Sequence, residues 1–172
     1  MKKAAYIWAA VIFGLGFALH FAYEWSGGLT LAALFCPVNE SVWEHLKLAF
    51  FPLTEWWLIY GWKTGMPVKR RLIAAAVSAC SAALMVLVIH YTVSGIIGQE
   101  IMAVDIAALA VSLLAGQYLA LRALNREHGE LAWKASVAAL VVLGAMLIVF
   151  TFCTPHIPLF LDQEGGFYGI QR

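Results

Sequence analysis

Long stretches of hydrophobic residues, separated by short polar segments, run along most of the chain. Each stretch holds about 20 residues, the length of α-helix that crosses a hydrocarbon core of roughly 30 Å. No stretch alternates polar and apolar positions as the wall of a membrane β-barrel does. The pattern therefore predicts one all-α membrane domain with five transmembrane helices and a short tail. The predicted helices and the tail are 4–25, 39–62, 72–97, 101–124, 133–153 and 154–172.

The amino-acid composition supports a membrane protein. Of the 172 residues, 63% are hydrophobic and 12% are charged, whereas a soluble domain has about 25% charged residues. This composition excludes a water-soluble enzyme, and a net charge of +1 excludes a basic nucleic-acid-binding protein. We expect the lipid bilayer as the partner and no nucleic acid.

The basic residues predict the orientation of the helices. In the five-helix arrangement, nine of the eleven Lys and Arg residues fall on the same side of the membrane as the N-terminus. The exceptions are Lys47 and Arg172. Cytoplasmic loops retain basic residues, so the N-terminus is expected in the cytoplasm and the C-terminus outside. A chain of 172 residues is small for a monomeric transporter, and a homo-oligomer would supply the missing half.

Most of the remaining ionisable residues fall at the opposite, outer end. Ionisable groups at membrane depth are costly, and they usually face the interior of the bundle as functional groups. We therefore expect a polar pocket that opens outward. Its predicted lining is His20, Glu24, Glu40, Glu44, His45, Asp105 and His156.

The second predicted helix carries the densest polar pattern. Asn39 is a good N-cap residue, and Glu44 and Lys47 are spaced for an ion pair. At about 100° per residue, Glu40, Glu44, Lys47 and Glu55 form one stripe, whereas His45 is rotated by roughly 140° from Glu40.

The spacing of carboxylates and imidazoles favours a metal site. His nitrogen and carboxylate oxygen are ligands for Zn, Mn or Fe, and residues four apart on a helix can direct two ligands to one ion. His20 with Glu24, and Glu40 with Glu44, have this spacing, although no HExxH motif is present. The predicted metal ligands are His20, Glu24, Glu44 and His156. The predicted catalytic residues are Glu40, Glu44 and His45. The predicted supporting residues are Tyr23, Asn39, Lys47, Glu55, His90 and Asp105.

A metal in this pocket would activate water for hydrolysis or group transfer on an amphiphilic or extracytoplasmic substrate. Three alternatives remain open on sequence alone. The polar groups could form a hydrogen-bonded network that only holds the helices in register. Glu55, placed deeper in the stripe, could belong to a pathway for proton or cation transport, and paired histidines could hold a haem.

Two segments outside the long helices are also predicted to be ordered. The residues of 29–35, between Gly28 and Pro37, are expected to form a short helix at the membrane interface. The tail contains Pro155 and Pro158 and an apolar Ile-Pro-Leu-Phe run, so we expect it to return and lie over the outer mouth of the bundle.

Three segments of the chain resemble a known family. They are the HFAYEWSG segment at 20–27, the PVNESVWEHLK segment at 37–47, and the tail from Pro158-Leu159-Phe160 to Tyr168-Gly169-Ile170. Together they resemble domain of unknown function 6512, an uncharacterised family of small prokaryotic multi-pass membrane proteins. The resemblance implies the five-helix architecture and a location in the prokaryotic cell (inner) membrane. It implies no activity.

Overall fold

The computed structural model describes residues 1–171, and Arg172, one of the two exceptions in the predicted charge distribution, lies outside the described residues. The described chain is all-helical, with a single isolated antiparallel bridge between Leu161 and Tyr168. The helices are α1 (Lys2–Trp25), α2 (Thr30–Phe35), α3 (Val42–His45), α4 (Lys47–Lys63), α5 (Val68–Ile97), α6 (Met102–Leu124) and α7 (Glu130–Phe152), followed by a 3-10 helix at Pro158–Phe160.

Four of these helices, α1, α5, α6 and α7, are long and apolar enough to cross a membrane. The predicted all-α architecture is confirmed at this level. The remaining predicted helix, the second in chain order at 39–62, is divided: α3 ends at His45, Leu46 forms a turn, and α4 continues from Lys47. The short helix predicted within 29–35 is present as α2.

The start of α3 corrects the predicted N-cap. Ser41 occupies the N-cap position with an extended backbone, and its hydroxyl accepts a hydrogen bond from the Glu44 N–H at 3.4 Å. Asn39 lies two residues earlier, where its side-chain oxygen accepts from the Ser41 N–H at 3.0 Å. This local turn delays the start of the helix until after Asn39 and Glu40, because the Asn39 side chain takes the Ser41 N–H that a helical backbone bond would use. Glu40 therefore lies in a loop, residues 36–41, and not on a helix face.

Helix α5 is the centre of the bundle and packs on α4, α6 and α7, while α1 packs on α6 and α4. Small residues allow the close approach of α5 and α6. A Cβ on Gly116 would lie 2.6 Å from the Ser78 carbonyl oxygen, so only glycine fits at this crossing. Small residues at such contacts are typical of membrane helices, because packing rather than the hydrophobic effect associates them.

The tail after α7 folds back onto the 36–41 loop. Asn39 Nδ2 donates to the Gly169 carbonyl at 2.9 Å, and the Phe160 ring lies 4.9 Å from the ring of Trp43. Within the tail, Leu161 pairs with Tyr168, and the Gly166 N–H donates to the Asp162 carbonyl at 2.9 Å. The tail is thus a compact hairpin at the end of the bundle that carries His20 and the 36–41 loop.

Candidate metal centre

Three side chains from separate elements converge at one point. His20 Nε2 lies 3.0 Å from His45 Nε2 and 3.3 Å from a Glu40 carboxylate oxygen, Oε2, and His45 Nε2 lies 3.5 Å from the same oxygen. Ligands at tetrahedral positions around Zn²⁺, with bonds near 2.0 Å, are separated by about 3.3 Å. Among the described residues this is the one group of three or more His, Cys, Asp or Glu side chains with such spacing.

Each of the three side chains is held by a different part of the fold. His20 is on α1, one turn before its end, and His45 is the last residue of α3. Glu40 belongs to the 36–41 loop, and its backbone N–H donates to Asp162 Oδ2 at 2.9 Å. Asp162 is buried, and its second oxygen accepts from the Gly165 N–H. The tail hairpin thereby positions the loop that presents Glu40.

The protons at this cluster can be assigned in part from its contacts. The His45 Nδ1 lies 2.8 Å from the Ser41 carbonyl oxygen. A carbonyl only accepts, so this nitrogen carries the proton and Nε2 of the neutral ring presents a lone pair. The contact with His20 Nε2 is the main cause that holds the pKa of Glu40 below its ordinary value, against partial burial.

Two electron-pair donors, His45 Nε2 and the Glu40 carboxylate, therefore face His20 Nε2. Either a His20 N–H proton or a metal ion can satisfy them. The contact between the two imidazole nitrogens leaves no space for a porphyrin between the rings, so the arrangement does not fit the haem alternative.

The cluster lines a cavity of about 400 Å³ between α1, α5 and α6. The upper wall also contains His90, Asp105 and residues of the tail hairpin, Gln163 and Glu164. The lower wall is apolar. It is formed by Phe13, Gly16, Phe17, Leu48, Val86 and Leu109.

A second polar group lies in the wall of the same cavity. His90 is buried, its Nδ1 lies 2.8 Å from Asp105 Oδ1, and its Nε2 lies 3.3 Å from Glu100 Oε1. The contact with Glu100 lacks hydrogen-bond geometry, so His90 Nε2 has no hydrogen-bond partner among the described residues. The Asp105 carboxylate fixes the orientation of the His90 ring, as a third group orients a catalytic base, and Nε2 is buried beside the Glu100 carboxylate.

Glu44 is separate from this cluster, although the sequence analysis assigned it both as a ligand and as a catalytic residue. Its Oε2 accepts from Lys47 Nζ at 2.6 Å, and its Oε1 accepts from the Thr151 hydroxyl at 2.8 Å. Lys47 Nζ also donates to the carbonyls of Ala33 and Cys36, at 2.8 and 3.3 Å. The Glu44–Lys47 ion pair suggested by the spacing is present, and it occupies the Glu44 carboxylate completely.

The other predicted site residues are distributed as follows. Glu24 is exposed at the end of α1, and His156 is exposed and stacks on Tyr168 with ring centroids 4.6 Å apart. Glu55 is exposed on α4 and does not line the cavity. Tyr23 is half-buried beside Gly28, and Asn39 holds the tail. The structure therefore brings together His20, Glu40 and His45, with His90 and Asp105 across the same cavity.

Two contributing residues were missed by the sequence analysis. Asp162 was treated as part of an interfacial tail, although an Asp followed after three residues by Gly165-Gly166 is typical of a turn in which the carboxylate accepts backbone N–H bonds. Thr151, on α7, contacts the buried Glu44–Lys47 ion pair, and no local sequence pattern predicts this contact.

The chain was compared with curated proteins, with solved structures and with protein-family models. No curated protein matches it significantly, and no solved structure does. A family model matches residues 1–170, which is nearly the whole chain. The chain therefore belongs to the family of unknown function DUF6512.

Proposed function

We propose that this protein is an integral membrane protein with a metal centre formed by His20, Glu40 and His45, and that it is a metal-dependent hydrolase or transferase. The observation that carries the proposal is the mutual separation of the three ligand atoms, 3.0, 3.3 and 3.5 Å. Two His and one Glu with a further open position are the ligand set of several catalytic zinc sites.

The proposed membrane arrangement has five crossings, the fifth made by α3 and α4 together. Residues 42–63 rise about 33 Å at 1.5 Å per residue, which is enough to cross the hydrocarbon core. The other end of the bundle carries basic residues: Lys63 ends α4, Lys69, Arg70 and Arg71 are in the first turn of α5, and Arg126 lies in the loop after α6. This distribution supports a cytoplasmic location for that end and an outward-facing metal centre. The prokaryotic inner membrane is the location we propose.

Zinc is the favoured metal among Zn, Mn and Fe. The same three ligand types also form the facial triad of non-haem iron oxygenases, in which octahedral ligands about 3.0 Å apart are expected. Two of the three measured separations, 3.3 and 3.5 Å, are nearer to the tetrahedral value. A bound Zn²⁺ lowers the pKa of its water to about 7 and polarises a substrate carbonyl or phosphoryl oxygen.

With Glu40 as a ligand, the general base must come from elsewhere. His90 is held by Asp105 in the wall of the same cavity, and its Nε2, 3.3 Å from Glu100 Oε1, has no hydrogen-bond partner within the part of the chain that the structure describes. We assign it to accept the proton of the attacking water and then to protonate the leaving group. Glu40 keeps its predicted place in the site, but with the role of ligand instead of acid or base.

Elemental analysis tests the proposal. The wild-type protein, purified without chelator, is expected to contain about one equivalent of zinc. His20→Ala, Glu40→Gln and His45→Ala are expected to lose it, while His156→Ala and Glu55→Gln, which change the same residue types at exposed positions, retain it. Metal-free wild type that also fails to bind added Zn²⁺, Mn²⁺ or Fe²⁺ would contradict the metal centre. Lowered melting temperatures in the three variants would then favour the hydrogen-bonded network.

A further inference from the structure

The cavity below the metal centre changes from polar to apolar along its depth. His20 and Phe13 line it seven residues apart on α1, which corresponds to about 10 Å along the helix. The polar groups, His20, Glu40, His45, His90 and Asp105, are at one end, and the other end is lined by aromatic and aliphatic side chains. Such a gradient complements a molecule with a polar head and an apolar chain.

The side of the cavity is open between α1 and α6, through apolar residues. Phe17 and Phe21 on α1, and Met102 and Ile106 on α6, line the cavity and are nevertheless 51, 42, 70 and 40% exposed. In a bilayer this surface faces acyl chains. A site for a water-soluble substrate would be expected to have a polar mouth, so the apolar opening favours a ligand that enters sideways from the membrane.

Gly16 provides space for the chain at the buried end. It is buried, and a Cβ built on it would meet only Leu109 Cδ2, at an ordinary contact distance of 3.8 Å. A larger side chain at this position would therefore extend into the cavity. The cavity volume of about 400 Å³ is at the lower end of the range for small-molecule sites, which favours one chain over the two chains of a bilayer phospholipid.

The carboxylates at the polar end of the cavity determine which kind of headgroup can bind there. Glu40, Asp105 and Glu164 line the cavity, and its lining among the described residues contains no Lys or Arg. Three carboxylates exceed the charge of one divalent cation, so an anionic headgroup would be repelled. An uncharged ester or amide carbonyl can still coordinate the metal.

We infer that the substrate is a single-chain amphiphile with an uncharged carbonyl headgroup, which lies at the metal while the chain extends past Gly16 between α1, α5 and α6. This inference rests on the proposed metal centre for the position of the headgroup. The site for the chain depends only on the cavity.

Binding of a series of alkyl hydroxamates tests the inference, because the hydroxamate chelates the metal and the chain length can be varied. Titrations would use protein in lipid nanodiscs, corrected for partition into nanodiscs that contain no protein. Affinity is expected to rise about threefold per methylene from acetohydroxamate, which is about 700-fold over the six added methylenes of octanoylhydroxamate, and to level off once the chain fills the cavity. Gly16→Leu should abolish the gain with length and leave acetohydroxamate binding and zinc content unchanged.

Gly14→Leu is the matched control, because Gly14 is on the same helix, is exposed and has no neighbour within 4 Å of a built Cβ. It should preserve the dependence on chain length. A competition experiment compares an uncharged headgroup with an anionic one. Monooctanoylglycerol should displace octanoylhydroxamate at least tenfold more effectively than octyl phosphate does. The opposite order would overturn the assignment of an uncharged head.

The outcomes distinguish this inference from the metal centre. A zinc-loaded protein whose affinity does not depend on chain length, or whose dependence survives Gly16→Leu, overturns the inference and leaves the metal centre intact. A zinc-free protein that still shows a dependence on chain length, abolished by Gly16→Leu, overturns the metal centre and supports the chain site.

Discussion

The buried carboxylate of Asp162 accepts a hydrogen bond from the backbone N–H of Glu40 at 2.9 Å, across 122 positions of the chain. This contact connects the tail hairpin to the loop that presents one of the three candidate ligands. Groups that orient ligands without touching the metal commonly change metal affinity by about 10–100-fold when they are removed.

Replacement of Asp162 is therefore expected to weaken the metal centre. Asp162→Ala should lower zinc affinity by about 10–100-fold, because the Glu40 loop loses its anchor. Asp162→Asn keeps one acceptor oxygen and should retain more of the affinity. Competition with a chromophoric chelator measures the difference. Equal zinc affinity in wild type and Asp162→Ala would show that the hairpin does not position Glu40.

The buried ion pair of Glu44 and Lys47 is expected to contribute to stability and not to metal binding. Lys47→Met leaves the Glu44 carboxylate buried without its cation and should destabilise the protein by about 3–5 kcal/mol. The double variant Glu44→Gln, Lys47→Met removes both charges and should recover part of the loss. Thermal unfolding measures stability, and elemental analysis of the double variant should still find one zinc. Loss of zinc from a folded double variant would return Glu44 to the metal centre.

The lowered pKa of Glu40 gives a specific pH dependence of stability. A carboxyl group with a lowered pKa in the folded state stabilises the protein above its unfolded pKa and loses this contribution as the pH falls through the folded pKa. The difference in melting temperature between metal-free wild type and Glu40→Gln should be full above its ordinary pKa of 4.5 and should shrink at lower pH. A constant difference from pH 7 to 3.5 would contradict the contact between Glu40 and His20.

As the pH is lowered, zinc binding should be lost at a higher pH than the stabilising contribution of the Glu40 carboxylate. Histidine must be neutral to bind a metal, and its ordinary pKa is about 6.5. Zinc affinity measured from pH 8 to 5 should therefore fall as the histidine ligands become protonated, while Glu40 remains ionised. A wild-type profile that stays flat to pH 5 would argue against two histidine ligands.

The crossing of α5 and α6 should not tolerate a side chain at position 116. Gly116→Ala places a Cβ 2.6 Å from the Ser78 carbonyl oxygen and should lower stability by about 1–3 kcal/mol. Gly95→Ala, on α5 with no neighbour within 4 Å of a built Cβ, should leave the melting temperature unchanged or raise it. Equal melting temperatures for Gly116→Ala and wild type would show that the two helices can separate at this point.

Hydropathy was sufficient to predict the long helices, because each must satisfy its backbone internally in lipid. The positions of the ionisable residues predicted one pocket with seven lining residues. The structure places four of them, His20, Glu40, His45 and Asp105, around one cavity, whereas Glu24, Glu44 and His156 do not line it. The choice of ligands was less predictable. The helical wheel separated His45 from Glu40 by roughly 140°, and that calculation fails because Glu40 precedes α3 and follows loop geometry.

The i,i+4 rule was an insufficient guide for the partners of His20. Glu24 has the correct spacing but is exposed at the last turn of α1, whereas the actual neighbours come from positions 40 and 45. Asp162 was unpredictable for a related reason, since its contact with the loop is fixed by the folding of the whole chain. Contacts between residues far apart in sequence leave no periodic signal.

The hairpin that holds Glu40 also sets an order of assembly. A chain that emerges from the ribosome presents His20, Glu40 and His45 more than a hundred residues before Asp162 is synthesised. All three candidate ligands have therefore been synthesised long before the Glu40 loop can form its hydrogen bond with Asp162. The proposed metal centre is then expected to reach its full affinity late in biogenesis, after the hairpin has been synthesised and has folded onto the loop.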